Sequence, residues 1–195
     1  YHYQLGQAYC QALRSRCDTV FVIDDLANRQ HDCDILLDQN LHPSASNRYK
    51  NLVPTYCKLL LGPRYALLRD EFYQVNNNAK SQHILVGFGG SDEQNLTQLA
   101  IEAIAQLKLP QLTADIVIGA NNPWRAMLEQ QVARLPNVQL HVQSNDMATL
   151  MHRATLMLGA GGSTHWERCI CGLPGLIVTV AENQQATTEY LHQLG

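Results

Sequence analysis

The sequence has no apolar run near the roughly 18 to 20 residues of a membrane-spanning helix, and nothing in it resembles a signal peptide. It also lacks any run of lysine or arginine, and its formal net charge is −3. Nothing therefore favours nucleic acid or an anionic membrane as a partner. An apolar content of 46% with 16% charged residues is typical of a globular chain. We expect a cytoplasmic, monomeric protein.

Cysteine pairs at metal-binding spacing are also lacking, because the six cysteines are scattered and include no Cys-x-x-Cys pair. This distribution argues against structural zinc and against a disulfide framework, and it is typical of free thiols in the cytosol. Cys169 and Cys171 lie two positions apart on a predicted helix, so they face different directions and make a poor metal pair.

Apolar runs and helical patterns organise the chain. Helical spacing at 4–16 precedes apolar strands at 20–23, 33–38 and 56–62, with a turn-rich loop at 41–54 and a short helix at 65–74. Later strands are predicted at 83–90, 114–120, 137–142, 155–160 and 175–181. Helices are predicted between and after them, at about 94–107, 123–134, 146–153, 164–171 and 184–194. Such alternation is typical of a parallel sheet covered on both faces.

The regular alternation begins only after the polar stretch VNNNAKSQ. We therefore predict a Rossmann-like parallel-sheet domain over residues 83–195, a linker over 74–82, and the C-terminal part of another domain over 1–73. The chain begins at Tyr1 without methionine and ends directly after a helical pattern. We expect it to be a fragment of a longer protein, truncated in both domains.

The stretch LGAGGSTHWERC, residues 158–169, carries the most specific local signal. An apolar strand runs into Gly159, Gly161 and Gly162 just before a predicted helix. Backbone amides and the positive end of the dipole at such a helix start attract phosphate, and glycine lets an anion approach closely. Ser163 and Thr164 can donate to phosphate or cap the helix. An ordinary tight turn with a capped helix explains these residues equally well.

Three polar loops follow predicted strands and should open on one edge of the sheet, where parallel α/β proteins bind ligands. They are Gly89-Gly90-Ser91-Asp92, residues 159–167 and Ala181-Glu182-Asn183-Gln184-Gln185. Neutral amides suit sugar hydroxyls, which need both donors and acceptors. Glu167 can accept both hydroxyls of a ribose, although a solvated helix residue is the alternative.

Two further features have weaker functional interpretations. His165 in the first turn of a helix can be catalytic, but such a histidine is more often a surface or cap residue. Asp24 and Asp25, near His31, superficially resemble a metal site. Carboxylates at strand ends more commonly cap the next turn, and we favour that interpretation.

With these loops in place, the sequence resembles the UDP-sugar hydrolases of pseudaminic acid biosynthesis, which cleave UDP-2,4-diacetamido-2,4,6-trideoxy-β-L-altropyranose. The matching stretches are HYQLG, DDLANRQHDCDILLDQN, LGPRYALLRDEFY, GGSDEQNLT, NDMATLM, GGSTHWERCICGLPG and AENQ. These hydrolases resemble the two-domain nucleotide-sugar glycosyltransferases, and especially the bacterial peptidoglycan N-acetylglucosaminyltransferases. With the latter they share a looser pattern of a DM-A segment, a G-G-x-T-x-x-E loop, G-L-P and a Q-Q pair.

The resemblance implies an α/β, GT-B-like fold of two Rossmann-type parallel-sheet domains, with the UDP-sugar held chiefly by the second. It assigns Glu167 to the uridine ribose, Gly162, Ser163 and Thr164 to the diphosphate, and Ser144 and Met147 to uracil. The sugar or diphosphate would meet Gly90, Ser91, Asp92, Gln184 and Gln185. Tyr3 and Asn183 fall at active-site positions. No metal and no cofactor are implied.

The resemblance also implies a reaction, in which water attacks the anomeric carbon with inversion and UDP leaves. The family's principal catalytic residue is a histidine in a G-x-G-H loop that this sequence does not contain. We therefore expect the parent protein to be the hydrolase, active in flagellin or surface glycan modification, and the chain alone to hydrolyse negligibly. A UDP-sugar glycosyltransferase and a non-catalytic UDP-binding fragment are the alternatives.

Overall fold

The computed structural model describes residues 4–74 and 82–194. They form two compact units: the first takes in the chain up to Leu67 and again from Ala181 onwards, and the second spans Leu68–Val180. These limits differ from those expected at residues 73 and 83. Phe72 is buried in the core of the second unit, and Thr187 donates a hydrogen bond to the Leu41 carbonyl at 3.3 Å within the first. Most of the expected linker, residues 75–81, lies outside the described residues.

The helices are α1 (Gln7–Arg14), α2 (Ala45–Arg48), α3 (Leu96–Gln106), α4 (Arg125–Val132), α5 (Met147–Arg153), α6 (Thr164–Ile170) and α7 (Glu182–Leu194). The strands are β1 (Phe21–Ile23), β2 (Ile35–Asp38), β3 (Lys58–Leu61), β4 (His83–Gly87), β5 (Thr113–Ile118), β6 (Val138–Val142), β7 (Leu156–Ala160) and β8 (Gly175–Val178). Two 3₁₀ helices lie at Pro63–Tyr65 and Asp70–Tyr73.

The first unit contains a parallel three-stranded sheet in the order β1-β2-β3. Its core includes Leu36 on β2, Cys10 on α1 and the fully buried Tyr49. The turn-rich segment 41–54, predicted as a loop, contains the short helix α2. The sequence of this segment lacks the apolar periodicity that predicts a helix. Arg48 at the end of α2 and the following Tyr49 are held by tertiary contacts with the carboxylate of Asp38.

The second unit contains a five-stranded parallel sheet in the order β6-β5-β4-β7-β8. One face packs around Val86, Ile101 and Ile116, and the other around Leu85 and Met157. Both faces of the central strands are therefore covered, as the alternation of apolar strands and helices predicts. The expected α/β fold is confirmed.

The helix predicted at 65–74 is wrong, because the segment forms two separate 3₁₀ helices with extended backbone between them. Ala66 and Arg69 have ψ angles of 133° and 148°, outside the helical range. The second 3₁₀ helix directs Phe72 into the apolar face of the five-stranded sheet. Burial of that ring outweighs the weak local helix preference of the segment.

None of the helices in residues 4–74 and 82–194 combines the length and apolar character that a membrane crossing requires. All six cysteines are free thiols. The sulfur atoms of Cys33 and Cys57 lie 3.6 Å apart without being bonded.

A buried carboxylate joins the strands of the second unit near their amino ends. Asp115 on β5 is fully buried and lies 2.8 Å from Nε2 of both His83 on β4 and His141 on β6. Arg153, at the end of α5, also donates to this carboxylate. Burial alone would raise the pKa of Asp115, but the hydrogen bonds from His141, His83 and Arg153 outweigh it and lower that pKa.

Asp115→Ala should lower the free energy of unfolding by about 1–3 kcal/mol, because it leaves the nearly buried His83 and the partly exposed His141 and Arg153 without their acceptor. A carboxyl group whose pKa is lower in the folded than in the unfolded protein stabilises the fold at pH values above its unfolded-state pKa. That stabilisation is lost as the pH falls through the folded-state pKa. The original chain should therefore lose stability on acidification below about pH 4, while Asp115→Asn should show a flatter acid limb. Urea unfolding against pH measures both effects, with the exposed Glu93→Ala as control. Equal acid limbs for Asp115→Asn and the original chain would contradict the assignment.

Candidate functional site

A pocket of about 300 Å³ opens at the carboxyl edge of the five-stranded sheet, entirely within the second unit. It is bordered by the ends of β4 and β5 and by the starts of α5 and α6. Its lining residues are Gly87, Gly89, Gly90, Val117, Ile118, Gly119, Gln143, Ser144, Met147, Met157, Ser163, Thr164 and Glu167. Ligands of parallel α/β sheets bind at this edge, so the pocket is the candidate site.

A larger cavity, of about 420 Å³, lies at the opposite edge of the same sheet. Its walls include Asp115, His83 and Arg153, whose polar groups already bond to one another. Because its charged groups satisfy each other and it lies at the amino ends of the strands, this cavity is the weaker candidate.

Glycines allow the backbones around the carboxyl-edge pocket to approach unusually closely. A Cβ placed on Gly119, after β5, would lie 2.5 Å from the carbonyl oxygen of Gly90, after β4. A Cβ on Gly159 of β7 would lie 2.8 Å from the carbonyl oxygen of Gly87. Both distances are too short for a real side chain, so the three strand ends require glycine at these positions. Polar backbone rather than side chain therefore borders part of the pocket.

The start of α6 lies beside these glycines. Gly162 has a φ of 97°, in the region that favours glycine, and the chain then enters the helix at Thr164. Ser163 occupies the N-cap position without a capping hydrogen bond from its side chain. The capped-helix alternative therefore does not describe Ser163, which lines the pocket. The first amides of a helix have no acceptor within it and can donate to a ligand.

Glu167 lines the same pocket one helical turn later and is half-buried. Burial raises the pKa of its carboxyl above the usual range; Arg69 acts to lower that pKa, and Glu71 acts to raise it. Arg69 is itself engaged by Glu71, at 2.7 Å. The Glu167 carboxylate is thus partly desolvated, and ligand hydroxyls could replace the water it has lost.

Six of the predicted site residues meet at this pocket: Gly90, Ser144, Met147, Ser163, Thr164 and Glu167. Gly162, Ser91 and Asp92 are not among its lining residues. The Asp92 carboxylate accepts hydrogen bonds from the amides of Leu96 and Thr97, both at 2.9 Å, so it caps the helix α3. The ligand roles of all these residues remain predictions.

Sequence reasoning missed three lining residues that offer polar groups to the pocket, Gly87, Gly119 and Gln143. Gly119 is the last but one residue of the apolar run ADIVIGA and could have been recognised as a strand-end glycine. Gln143 directly precedes Ser144 and has a positive φ of 54°. No sequence pattern signals that conformation at a glutamine.

His165 is not a surface or cap residue, because it is almost completely buried. Burial, together with the nearby charge of Arg168, lowers the pKa of His165 to about 4. The imidazole is therefore neutral at physiological pH. Its ring lies 6.0 Å from that of Trp166 between centroids, which is a packing contact.

The remaining predicted residues belong to the first unit or lie outside the described residues. Asn183, Gln184 and Gln185 lie in the first turn of α7. The Gln185 amide donates to Glu189 at 2.8 Å, and the Asn183 amide donates to Asp25 at 3.4 Å. Tyr3 lies outside the described residues.

Asp24, directly after β1, is a capping and ion-pairing group. Asp24 accepts a hydrogen bond from the Ala27 amide at 2.9 Å, which confirms the capping interpretation, and it pairs with Arg29 at 2.8 Å. In the part of the chain that the structure describes, no cluster of three or more histidine, cysteine or acidic side chains could hold a metal ion.

The glycosyltransferase family 28 C-terminal domain matches residues 83–195, more than half of the chain. The chain belongs to this family. The candidate pocket lies wholly inside the matched segment. The edge of the five-stranded sheet at which the pocket opens is therefore part of the family 28 C-terminal domain.

Two relatives of known name extend the similarity. The chain is 28% identical over 169 residues to the UDP-2,4-diacetamido-2,4,6-trideoxy-β-L-altropyranose hydrolase of Campylobacter jejuni, covering 86% of this chain and 60% of that protein. It is 29% identical over 133 residues to the spore coat polysaccharide biosynthesis protein SpsG of Bacillus subtilis, covering 66% of this chain and 39% of that protein. The chain thus spans less than two thirds of either relative.

Solved structures show the same fold at low sequence identity. MurG of Acinetobacter baumannii aligns with a TM-score of 0.56 and 19% identity, over 96% of this chain and 54% of that one. UDP-GlcNAc 2-epimerase of Neisseria meningitidis, solved with UDP-GlcNAc bound, aligns with a TM-score of 0.59 and 14% identity, over 93% of this chain and 65% of that one. The GT-B-like fold class is confirmed.

The glycine contact at the pocket can be tested by paired substitutions. Gly119→Ala should lower the free energy of unfolding by about 1–3 kcal/mol, because its Cβ would overlap the Gly90 backbone. Gly90→Ala is the matched control, since a Cβ there meets nothing within 4 Å. Urea unfolding of both variants measures the difference. Equal stability of the two variants would show that the close approach is not needed.

Proposed function

We propose that the full-length protein hydrolyses a UDP-linked 2,4-diacetamido-2,4,6-trideoxy sugar to the free sugar and UDP, in pseudaminic acid biosynthesis. The observation that carries the nucleotide part is a half-buried carboxylate, Glu167, in a pocket bordered by glycine backbone and the start of α6. The similarity to the Campylobacter jejuni hydrolase supports the choice of substrate and of water as acceptor.

UDP is the ligand that suits this combination of groups. The Glu167 carboxylate accepts the two ribose hydroxyls, each of which replaces hydration lost by burial. Amides and hydroxyls around Gly162, Ser163 and Thr164 donate to the diphosphate, helped by the dipole of α6. Uracil lies against Ser144 and Met147, which offer a hydroxyl and an apolar surface.

The sugar and the reacting carbon are assigned to other residues. Gly90, Ser91, Asp92, Gln184 and Gln185 contact the sugar or the diphosphate. Asn183 and Tyr3 act at the anomeric centre, as the resemblance to the hydrolases implies. Amide side chains can both donate to and accept from sugar hydroxyls, which suits the two glutamines to this role.

The reaction is a displacement by water with inversion at the anomeric carbon. The C–O bond to UDP breaks as the new C–O bond to water forms, and the water proton passes to a general base. In the hydrolases that base is a histidine in a G-x-G-H loop, a motif that this sequence does not contain. Donors around the diphosphate stabilise the charge that develops on the leaving UDP, and no metal is needed for this scheme.

Glu167→Gln should weaken UDP binding more than tenfold, because a charge-assisted contact to hydroxyls is worth about 1.5 to 3 kcal/mol. Calorimetric titration of UDP into the chain measures the affinity. Glu129→Gln is the matched control, because Glu129 is an exposed residue of the second unit, paired with Arg125 on α4. UDP binding of Glu167→Gln at the affinity of the original chain would overturn the ribose assignment.

The same substitution should act in the opposite direction on the free protein. A carboxyl whose pKa is raised by burial destabilises the fold once it ionises, so neutralising Glu167 should raise the Tm in the absence of ligand. Weaker UDP binding with a higher Tm separates a binding role from a purely structural one.

Catalysis gives a separate test. The full-length protein should release UDP from the altropyranose substrate in the presence of a chelator, whereas residues 1–195 alone should do so negligibly. General-base catalysis is worth about 10² to 10⁴ in rate, and the proposed base is missing from these residues. In the full-length protein, Tyr3→Phe and Asn183→Ala should lower kcat more than they weaken UDP binding. Full activity from residues 1–195 would overturn this mechanism.

The second candidate is a UDP-sugar glycosyltransferase, which the family 28 match favours. Both reactions use a UDP-sugar site, and they differ only in the acceptor. Product analysis with and without an acceptor alcohol separates them: free sugar in both cases supports the hydrolase, and acceptor-dependent turnover supports the transferase. UDP binding without turnover by the full-length protein would support a non-catalytic module.

A further inference from the structure

We propose that Asp25 is a positioning residue that orients the side-chain amide of Asn183, an inference that rests on the proposed role of Asn183 in UDP-sugar hydrolysis. The Nδ2 group of Asn183 donates to Oδ2 of Asp25 at 3.4 Å, and both residues belong to the first unit. They are 158 residues apart in the sequence, so the fold and not local geometry creates this pair.

Asp25 lies in a cluster of carboxylates at the carboxyl edge of the three-stranded sheet. Asp24 and Asp25 directly follow β1, and Asp38 ends β2. Asp24 and Asp38 are almost completely buried. The hydroxyl of Tyr49 lies 3.2 Å from Oδ2 of Asp24 and 3.1 Å from Oδ2 of Asp38, and so bridges the two.

Cations neutralise the two buried neighbours but do not pair with the Asp25 carboxylate among the described residues. Arg29 pairs with Asp24 at 2.8 Å, and Arg48 pairs with Asp38 at 3.3 Å. Arg48 contacts Asp25 only through the main chain, donating to its carbonyl oxygen at 2.8 Å. Oδ1 of Asp25 is buried and has no hydrogen-bond partner in the described part of the chain. Among the described residues, the Asn183 amide is therefore the side-chain donor that this carboxylate has, and it reaches only Oδ2.

An ionised carboxylate can only accept hydrogen bonds, and this property sets the direction of the amide. With Nδ2 held towards Asp25, Oδ1 of Asn183 points away from the cluster as an acceptor. A carbonyl oxygen fixed in this way can take a hydrogen bond from the attacking water or from a sugar hydroxyl. A protonated Asp25 could instead donate to Oδ1, and the amide would then turn over.

The surrounding charges make this orientation sensitive to pH. Burial raises the pKa of the Asp25 carboxyl above its usual range, and the negative charges of Asp24 and Asp38 raise it further, while the bond from Asn183 opposes them. Asp25 therefore takes up a proton at a higher pH than an ordinary aspartate. Acidification should release Asn183 and lower kcat through that pKa, with UDP affinity unaffected.

A double-mutant cycle in the full-length protein tests the inference. Asp25→Ala should lower kcat about tenfold to a hundredfold by misplacing Asn183, with UDP affinity unchanged. In the Asn183→Ala background, Asp25→Ala should cause no further loss, because the group it positions has gone. Asp25→Asn keeps an acceptor for Nδ2, so it should retain more kcat than Asp25→Ala and lose the acid limb of the pH profile. Asp18→Ala, an exposed carboxylate of the same unit, is the control and should leave kcat unchanged.

A readout without turnover separates this inference from the proposed function. The side-chain amide resonances of Asn183 in ¹⁵N spectra should shift with pH as Asp25 titrates, and the shift should vanish in Asp25→Asn. Additive losses of kcat in the double-mutant cycle would overturn the positioning role. Asn183 amide resonances that do not shift as Asp25 titrates would overturn it as well. If the Asn183 amide shifts as Asp25 titrates but the full-length protein does not hydrolyse the UDP-sugar, the contact is upheld and the proposed function is overturned.

Discussion

The close approach of backbones at the carboxyl edge of the five-stranded sheet is the constraint on which the candidate site depends. β4 lies between β5 and β7, and each of these neighbours has a glycine at or just beyond its end. A Cβ on Gly159 would overlap the backbone of Gly87 on β4, and a Cβ on Gly119 would overlap that of Gly90, in the loop after β4. Side chains at Gly119 or Gly159 would push the strand ends apart and fill the space between them. The same glycines that permit this sheet geometry also leave main-chain polar groups at the pocket border, where a diphosphate can approach.

Buried carboxylates divide into those that complete the fold and those that are left available for a ligand or a second side chain. Asp115 is bonded by two histidines and an arginine, and Asp24 is ion-paired with Arg29, so these groups have no unmet electrostatic requirement. Among the described residues, no cation pairs directly with the carboxylate of Glu167 or Asp25, and burial raises the pKa of each. A partly desolvated carboxylate without a full set of partners costs stability, and functional sites are where such costs concentrate.

The sequence predicted the α/β class and all the strands of both sheets, because their apolar runs are continuous and separated by clear turns. It did not predict the 3₁₀ helices, which depend on where Phe72 is buried, or the limits of the units, which depend on long-range packing of α7. Six of the predicted site residues line one pocket, since strand ends of a parallel sheet must share an edge, and their ligand roles stay predictions. Gln143 and the contact between Asp25 and Asn183 could not be predicted, because each requires a backbone conformation or a long-range pairing that no local pattern encodes.

The candidate pocket is lined only by residues of the second unit, whereas Asn183 and Asp25 belong to the first. Fold alone does not decide a reaction, since one nucleotide-sugar scaffold can serve a transferase, an epimerase or a hydrolase. Contacts to the uridine, away from the breaking bond, act equally on the ground state and the transition state, and such uniform binding does not raise kcat. The choice of reaction must therefore come from groups that meet the anomeric carbon and the attacking nucleophile.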